Sequence, residues 1–439
     1  MNAKQACIIG SGSSGITAVK TLKEHGIEFD CFEKGSFIGG IWRYNNDNQM
    51  SSAYHSLHIN TNKYAMAYSD FPMPSDYPMF PHHTQIYQYF EDYVEHFGIR
   101  PYIQFNTEVL DVKRLENGNY QVVTNKGTGV YQAVIIANGH HWNPRYPNFP
   151  GEFTGETLHS HYYRVPNQIL NKDLLIVGIG NSAVDIACEA ARLHAGKVVI
   201  STRSSAHIMP NWLWDIPMDS LANPIFGNLP VKLQSIIMQI SLLLARGRQR
   251  KYGVPVPSYP VLHEHPTISQ DLLNLTARGL IKFKPNIKEI RGKTVIFADG
   301  STQYFDMIIY ATGYKITFPF FKNIAFQVSE NNEFRLYKKV IHPDYPNLFF
   351  VGLIQPLGSI MPLAEIQSKW IAKILKGEVQ LPSRETMLKS IEEDKQKMMK
   401  RYNFSPRHTL QVDFHPYKKS IESEIKRMSV NKRVSAPSV

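Results

Sequence analysis

Two stretches of the chain carry an unbroken apolar run that ends at a glycine and gives way to helical periodicity. The first is Ala6-Cys7-Ile8-Ile9, followed by Gly10-Ser11-Gly12-Ser13-Ser14-Gly15. The second is Leu174-Leu175-Ile176-Val177, followed by Gly178-x-Gly180-Asn181-Ser182-Ala183. A continuous apolar run suits a strand covered on both faces, as in a parallel sheet flanked by helices. Each stretch therefore predicts strand, tight turn, helix and second strand. Phe29-Asp30-Cys31-Phe32 completes the first unit and Lys197-Val198-Val199-Ile200-Ser201 the second, whose helix is expected from Ser182.

Elsewhere the pattern is less regular. Tyr87 to Phe97 reads as a helix, and 102–137 alternates like a small sheet ending in Ala133–Ala137. Residues 50–82 are rich in Pro, Tyr, Ser and Asn, an irregular region of the kind that is often functional. The Pro-rich crossing from Asn143 to Gly151 reads as a linker. Strands resume over 281–310, ending in Ala311-Thr312-Gly313, and Leu348–Gly352 precedes a helix near Pro362. Residues 206–268 form an insert without clear strand signals. The second unit thus sits inside the first: one domain is expected over 1–150 and 325–439, the other over 156–320 with its insert at about 206–268.

The spacing of the glycines carries chemistry. Gly10 permits the tight turn, Gly12 lets the backbone approach a pyrophosphate, and Gly15 lets the helix pack close so that its first N–H groups face phosphate. Glu33, at the end of the second strand, stands where such units place an acid for ribose hydroxyls. The second loop departs only at Ala183, which the fold tolerates, and its second strand leads to Arg203 in place of an acid. An arginine there suits the 2′-phosphate of NADP, and this reading is preferred to that of a solvated surface arginine. The fold class is therefore α/β with two Rossmann-like dinucleotide-binding domains, and two dinucleotides in one chain imply electron transfer between them.

Composition narrows the picture further. The 439 residues exceed one ordinary core. Cys7, Cys31 and Cys188 are far apart, with no C-x-x-C and no metal-ligand spacing. A disulfide framework and a flavin disulfide reductase are disfavoured, and a reducing cytoplasm is expected. The N-terminus enters the first strand within ten residues, so no signal peptide is expected. The formal charge of +11 comes from scattered residues, a cluster after residue 245 and the region from Lys395 to Arg433, with no nucleic-acid motif. Val231 to Ala245 is too short and polar to cross a bilayer. With Arg246, Arg248, Arg250 and Lys251 behind it, the segment 231–251 suits either a membrane surface or an amphipathic helix packed on the protein, the latter preferred.

On these residues the chain resembles the flavin-containing monooxygenases, as a soluble, bacterial-type member, over nearly its whole length. The matching motifs are Gly10 to Gly15, Gly39-Gly40-Ile41-Trp42-Arg43, Asn60-Thr61-Asn62-Lys63, and Gly139-His140-His141. Further along come Phe153-x-Gly155-x-x-x-His159-x-x-x-Tyr163, Gly178 to Asp185, Ala311-Thr312-Gly313-Tyr314 and Gly352 to Ser359. No hydrophobic C-terminal anchor like that of the animal enzymes is expected, since 420–439 is polar.

The resemblance implies FAD on the first loop, with Ser11, Ser13 and Ser14 in that loop, Glu33 on its ribose and Gly40, Ile41 and Trp42 beside it. It implies NADPH on the second, with Gly178, Gly180, Asn181, Ser182, Ala183 and Asp185 near its phosphates or ribose. Asn60 would stand by both flavin and nicotinamide as the catalytic residue; on the residues alone a turn asparagine is the preferred reading. Thr61, Thr312, Gly313 and Gln355 complete the expected cofactor-binding set, although the Ala311–Gly313 turn also reads as structural. His159 and Tyr163 are read as holding the linker and second domain in register. The implied reaction forms a C4a-(hydro)peroxyflavin and inserts one oxygen atom of O₂ into a soft N or S of a small organic substrate, a task that leaves the hard chemistry to the cofactor. The alternatives are Baeyer–Villiger oxygenation of ketones, a YUCCA-like oxidative decarboxylation, and an NADPH oxidase or diaphorase without oxygenation. A homodimer stays open, as does whether Trp212, Trp214, Ile225 and Phe226 line a channel or, as is commoner, fill core.

Overall fold

A computed structural model describes residues 3–221, 223–322, 324, 326, 328–402 and 408–427. The last part of the basic C-terminal region lies outside them. The chain forms two compact units. One comprises 1–51, 61–142 and 315–439, the other 52–60 and 143–314.

In the first unit the apolar run forms the strand Lys4–Ile9 at the centre of a seven-stranded sheet. It pairs in parallel with Phe29–Phe32 and with Gly127–Ile136, so that Ile8 lies between Cys31 and Ile135. Tyr120–Thr124 and Val109–Arg114 extend the sheet antiparallel, and Leu348–Phe350 adds a parallel strand against Gly127–Ile136. One face closes over Cys7, Ile9, Val134, Ile136, Leu348 and Phe350. Each such fully buried side chain contributes about 1.5–3 kcal/mol of transfer free energy, which fixes the strand that presents the first glycine loop. The helix Ser13–Glu24 packs on the helix Met361–Leu375. A second helix, His83–His96, begins four residues before the position its apolar periodicity suggests, because His82 and Gln85 form a capping box.

The second unit centres on Leu174–Val177, parallel to Val198–Ser201 on one side and Met307–Tyr310 on the other. Ile281–Lys284 and Glu156–His159 complete five parallel strands. The helix after the second loop, Asn181–Arg192, starts one residue earlier than expected and buries Ala183, Val184, Ile186, Ala187, Ala190 and Ala191. Residues 52–60 join this unit although both their flanks belong to the other.

Nothing in the local pattern of 52–60 signals that assignment; it rests on partners far away in sequence. Tyr54 is buried, its ring lies 5.8 Å from that of Tyr163, and its hydroxyl donates to Asp185 Oδ2 at 2.5 Å. The His55 amide donates to Arg164 O at 2.8 Å. The insert also differs from expectation. It contains two small ribbons, Ile208–Met209 with Thr267–Ile268 and Trp212–Leu213 with Ile216–Pro217, each strand too short to register as a pattern.

Candidate active site

The first glycine loop is fixed by contacts that leave no room for side chains at two of its glycines. Gly10 has φ +99°, and a Cβ there would lie 2.7 Å from Ala137 O. A Cβ on Gly15 would lie 1.9 Å from Gly10 O. Gly12 is different: its backbone is extended, and the nearest atom to an added Cβ is Gly40 Cα at 3.6 Å. Sterics inside the protein therefore require Gly10 and Gly15, whereas Gly12 keeps the surface over the helix start bare.

Glu33 is buried, 4% exposed, and accepts from four protein donors. Oε2 takes Ser11 N at 2.8 Å and Ser11 Oγ at 3.0 Å; Oε1 takes Gly35 N at 2.7 Å and Asn48 Nδ2 at 3.1 Å. This anion thus holds the loop itself, a task not evident from its spacing. Ser13 O accepts from Tyr68 Oη, and Ser14 sits where a Cβ on Gly352 would fall. Gly40, Ile41 and Trp42 form a single helical turn after Gly39, and Ile41 O accepts from Ser51 Oγ at 2.8 Å.

Next to Gly10 the loop after Gly127–Ile136 carries two buried polar atoms without a protein partner, Asn138 Nδ2 and His140 Nε2. Burial, with His141 beside it, pushes His140 well below the usual imidazole range, so it is neutral. Gln355, half-buried, opens a short strand paired with Gln411–Asp413.

The second loop repeats the logic. Gly178 has φ +125° and a Cβ there would lie 2.4 Å from Ala311 O, whereas nothing lies within 4 Å of a Cβ on Gly180. Ala183 is fully buried, where the helix meets its sheet. Asn181 Oδ1 is engaged by Ile268 N at 2.9 Å, tying the insert to the loop. Ser182 is half-buried. Asp185 binds Tyr54, and burial raises its carboxyl to about 6, with Glu189 adding to the rise and the Tyr54 hydrogen bond opposing it. Arg203 is exposed and has no carboxylate partner among the described residues. Thr312 Oγ1 donates to Arg145 O, and Arg145 N donates to Gly313 O at 2.9 Å, so this turn clamps the chain near 145.

Both loops share one feature. The helices Ser13–Glu24 and Asn181–Arg192 start at glycines, with no side-chain cap and no acid in the first turn. Asn62, His82 and Ser383 each cap a helix with a side chain. The helices after Pro230, Asp271, Ile360 and Asp413 lack such a cap too, but among the described α-helices only the two that follow the loops start at a glycine. An uncapped N-terminus leaves donors and a positive dipole end for an anion. The residues present therefore fit two dinucleotide pyrophosphates.

The remaining motifs separate into scaffold and candidates. Asn62 caps Lys63–Met66, and Lys63 Nζ donates to the carbonyls of Ser75 and Tyr77 at 2.7 and 2.6 Å. Asn60 and Thr61 are half-buried, and neither makes a side-chain hydrogen bond among the described residues. In the Phe153–Tyr163 motif, a Cβ on Gly155 would lie 2.6 Å from Asp306 O. His159, fully buried, accepts from His161 N at 3.1 Å, and burial lowers it to about 4. Tyr163 donates to Glu189 at 2.5 Å. The contacts of the Phe153–Tyr163 motif all lie within the second unit. Trp212, Trp214 and Ile225 are exposed, whereas Phe226 packs partly buried against the small core of the insert.

A chain with two such loops, the first of them held by a buried acid, and two open helix starts is built as a two-dinucleotide flavoenzyme. A family model described as flavin-binding monooxygenase-like matches residues 3–431, and the chain belongs to that family. The flavin-containing monooxygenase 5 of Rattus norvegicus is 38% identical over 436 residues, covering 94% of this chain and 81% of the relative. The structure of an S-allyl-L-cysteine S-oxygenase from Allium sativum aligns over 98% of this chain and 90% of its own, at 25% identity and TM-score 0.72. An open cyclohexanone monooxygenase structure, 18% identical with TM-score 0.70, covers 96% of this chain and 98% of its own and shares the fold. The protein is a monooxygenase that uses FAD and NADPH.

Proposed function

We propose that the enzyme transfers one oxygen atom of O₂ to the nitrogen or sulfur of a small organic substrate. The observation that carries this reading is the pair of uncapped helix starts in a chain 38% identical to a flavin-containing monooxygenase. The sulfur-oxygenating relative adds support. In this reading the first unit takes FAD and the second NADPH. Together, when bound, they supply the reducing electrons and the activated oxygen.

The chain's own residues bind, orient and exclude water. The amides after Gly12 and Gly180 receive pyrophosphate oxygens, and Gly12, Ser13 and Ser14 lie under the first of these. Glu33 fixes the loop and exchanges the Ser11 Oγ bond for a ribose hydroxyl. Gly40, Ile41, Trp42 and Gln355 border the same cofactor, and Asn138 and His140 offer it their unpartnered atoms. Ser182 and Arg203 meet the second dinucleotide; Asn181, Asp185, Thr312 and Gly313 shape its site through backbone and loop contacts. Asn60 and Thr61 present uncommitted polar groups, and Asn60 donates its amide hydrogen bond beside the reacting centre, where solvent would otherwise divert oxygen to peroxide.

Steady-state turnover with a thioether, a tertiary amine and a ketone, with products and H₂O₂ quantified, tests the reading. Sulfoxide or N-oxide formed in step with NADPH consumption is the expected result. Ester from the ketone alone, or NADPH consumed only as peroxide, would overturn it.

A further inference from the structure

The helix Val231–Arg246 is inside out relative to its composition. It buries Gln234, Ser235, Met238 and Leu242, while Leu233, Ile236, Ile237, Ile240, Leu243 and Leu244 are exposed. Those six positions follow the three- and four-residue spacing of a single helical stripe, the pattern that normally faces a core. Leu244 is 73% exposed, and Ile225, in a neighbouring turn, is 82% exposed. A contiguous apolar stripe turned toward water marks an interaction surface. This reverses the preference for a helix whose apolar side packs on the protein.

Charge decides the partner. Residues 220–263 contain no aspartate or glutamate and hold Lys232, Arg246, Arg248, Arg250 and Lys251. Arg246 is committed to the Ile208 carbonyl at 2.7 Å. Lys232, Arg248, Arg250 and Lys251 are exposed and form no ion pair among the described residues. A second copy of the chain docked face to face would bring this acid-free segment against itself, with its like charges opposed. An anionic bilayer satisfies both features, taking the apolar stripe at the headgroup boundary and the cations on lipid phosphates. No described helix is long and apolar enough to cross a membrane, so the contact is superficial.

We propose that the insert helix and its flanking basic residues dock the enzyme on the surface of an anionic lipid membrane. The contact needs no part of the oxygenation chemistry and stands or falls separately from it.

The test is co-sedimentation of the purified holoenzyme with phosphatidylcholine vesicles, with and without one-third phosphatidylglycerol, at low and high salt. Binding to the anionic vesicles, released by salt, is expected. The triple variant Ile236→Ser, Ile240→Ser, Leu244→Ser should bind at least about tenfold more weakly while retaining its flavin absorbance and NADPH oxidation in solution. Arg248→Glu, Arg250→Glu, Lys251→Glu should lose the preference for anionic lipid. Absence of vesicle binding, equal binding to neutral vesicles, or binding untouched by both variants overturns the proposal. So does a dimer in sedimentation velocity that the serine variant dissociates without any vesicle binding, which would assign the face to a second copy.

Discussion

Gly180→Val separates what the fold needs from what the cofactor needs. Gly180 adopts φ −74° and ψ 175°, which any residue tolerates, and no atom lies within 4 Å of an added Cβ. Replacing glycine by a β-branched residue at a helix N-cap costs about 1 kcal/mol or less. The same side chain stands over the helix N-terminus, where a pyrophosphate must come within hydrogen-bond distance of the backbone. Losing one charge-assisted contact and displacing the phosphate weakens binding by about 2–3 kcal/mol, roughly 30- to 160-fold in Kd. The assay is anaerobic flavin reduction at increasing NADPH, with thermal unfolding in parallel. Expected is a large rise in apparent Kd with Tm lowered by only a few degrees. Gly178→Val is the contrast: at φ +125° with a carbonyl 2.4 Å away, it should fail to fold. A Gly180→Val enzyme that binds NADPH within threefold of the unaltered protein would refute the assignment of this helix start to phosphate.

Three further outcomes are expected. Arg203→Ala should raise KM for NADPH about 5- to 160-fold, corresponding to about 1–3 kcal/mol, and leave KM for NADH nearly unchanged; equal loss with both would remove the 2′-phosphate contact. Asn60→Ser should retain flavin reduction by NADPH while raising the fraction of oxygen released as H₂O₂, read by a peroxidase-coupled assay; unchanged coupling would exclude Asn60 from the chemistry. Asp185 has its carboxyl raised to about 6, mainly by burial, with Glu189 and Asp271 adding to the rise and Tyr54 and Arg192 opposing it. The folded state therefore holds this proton more tightly than the unfolded chain, and its contribution to stability is full below the unfolded pKa and lost as pH rises through about 6. Asp185→Asn, which still bonds Tyr54, should remove a penalty of at most about 3 kcal/mol, so the two Tm profiles should diverge between pH 4 and 7. Parallel profiles would show that the carboxyl does not titrate there.

Much of the architecture was legible because it is local. An apolar run, a glycine turn and a helix occupy some twenty consecutive residues, and steric demands at Gly10, Gly15 and Gly178 leave their mark directly on the sequence. Glu33 was found by spacing, but its bonds to Ser11, Gly35 and Asn48 depend on how the loops fold back. The placement of 52–60 was illegible because Tyr54 and Asp185 stand 131 residues apart. The insert helix shows a different limit. Periodicity identifies an apolar stripe, whereas which side is covered depends on a small core of Met209, Leu213, Met218 and Val261 that no local pattern announces.

The strip 52–60 also constrains how this protein can be recombined. A chimaera that exchanges 143–314 as a single cassette would carry the carboxylates of Asp185 and Glu189 but leave behind the Tyr54 that bonds Asp185, so that they meet the host's own residue at that position. Grafting the nicotinamide half from one relative into another therefore requires two splices, with the short strip travelling alongside the long one.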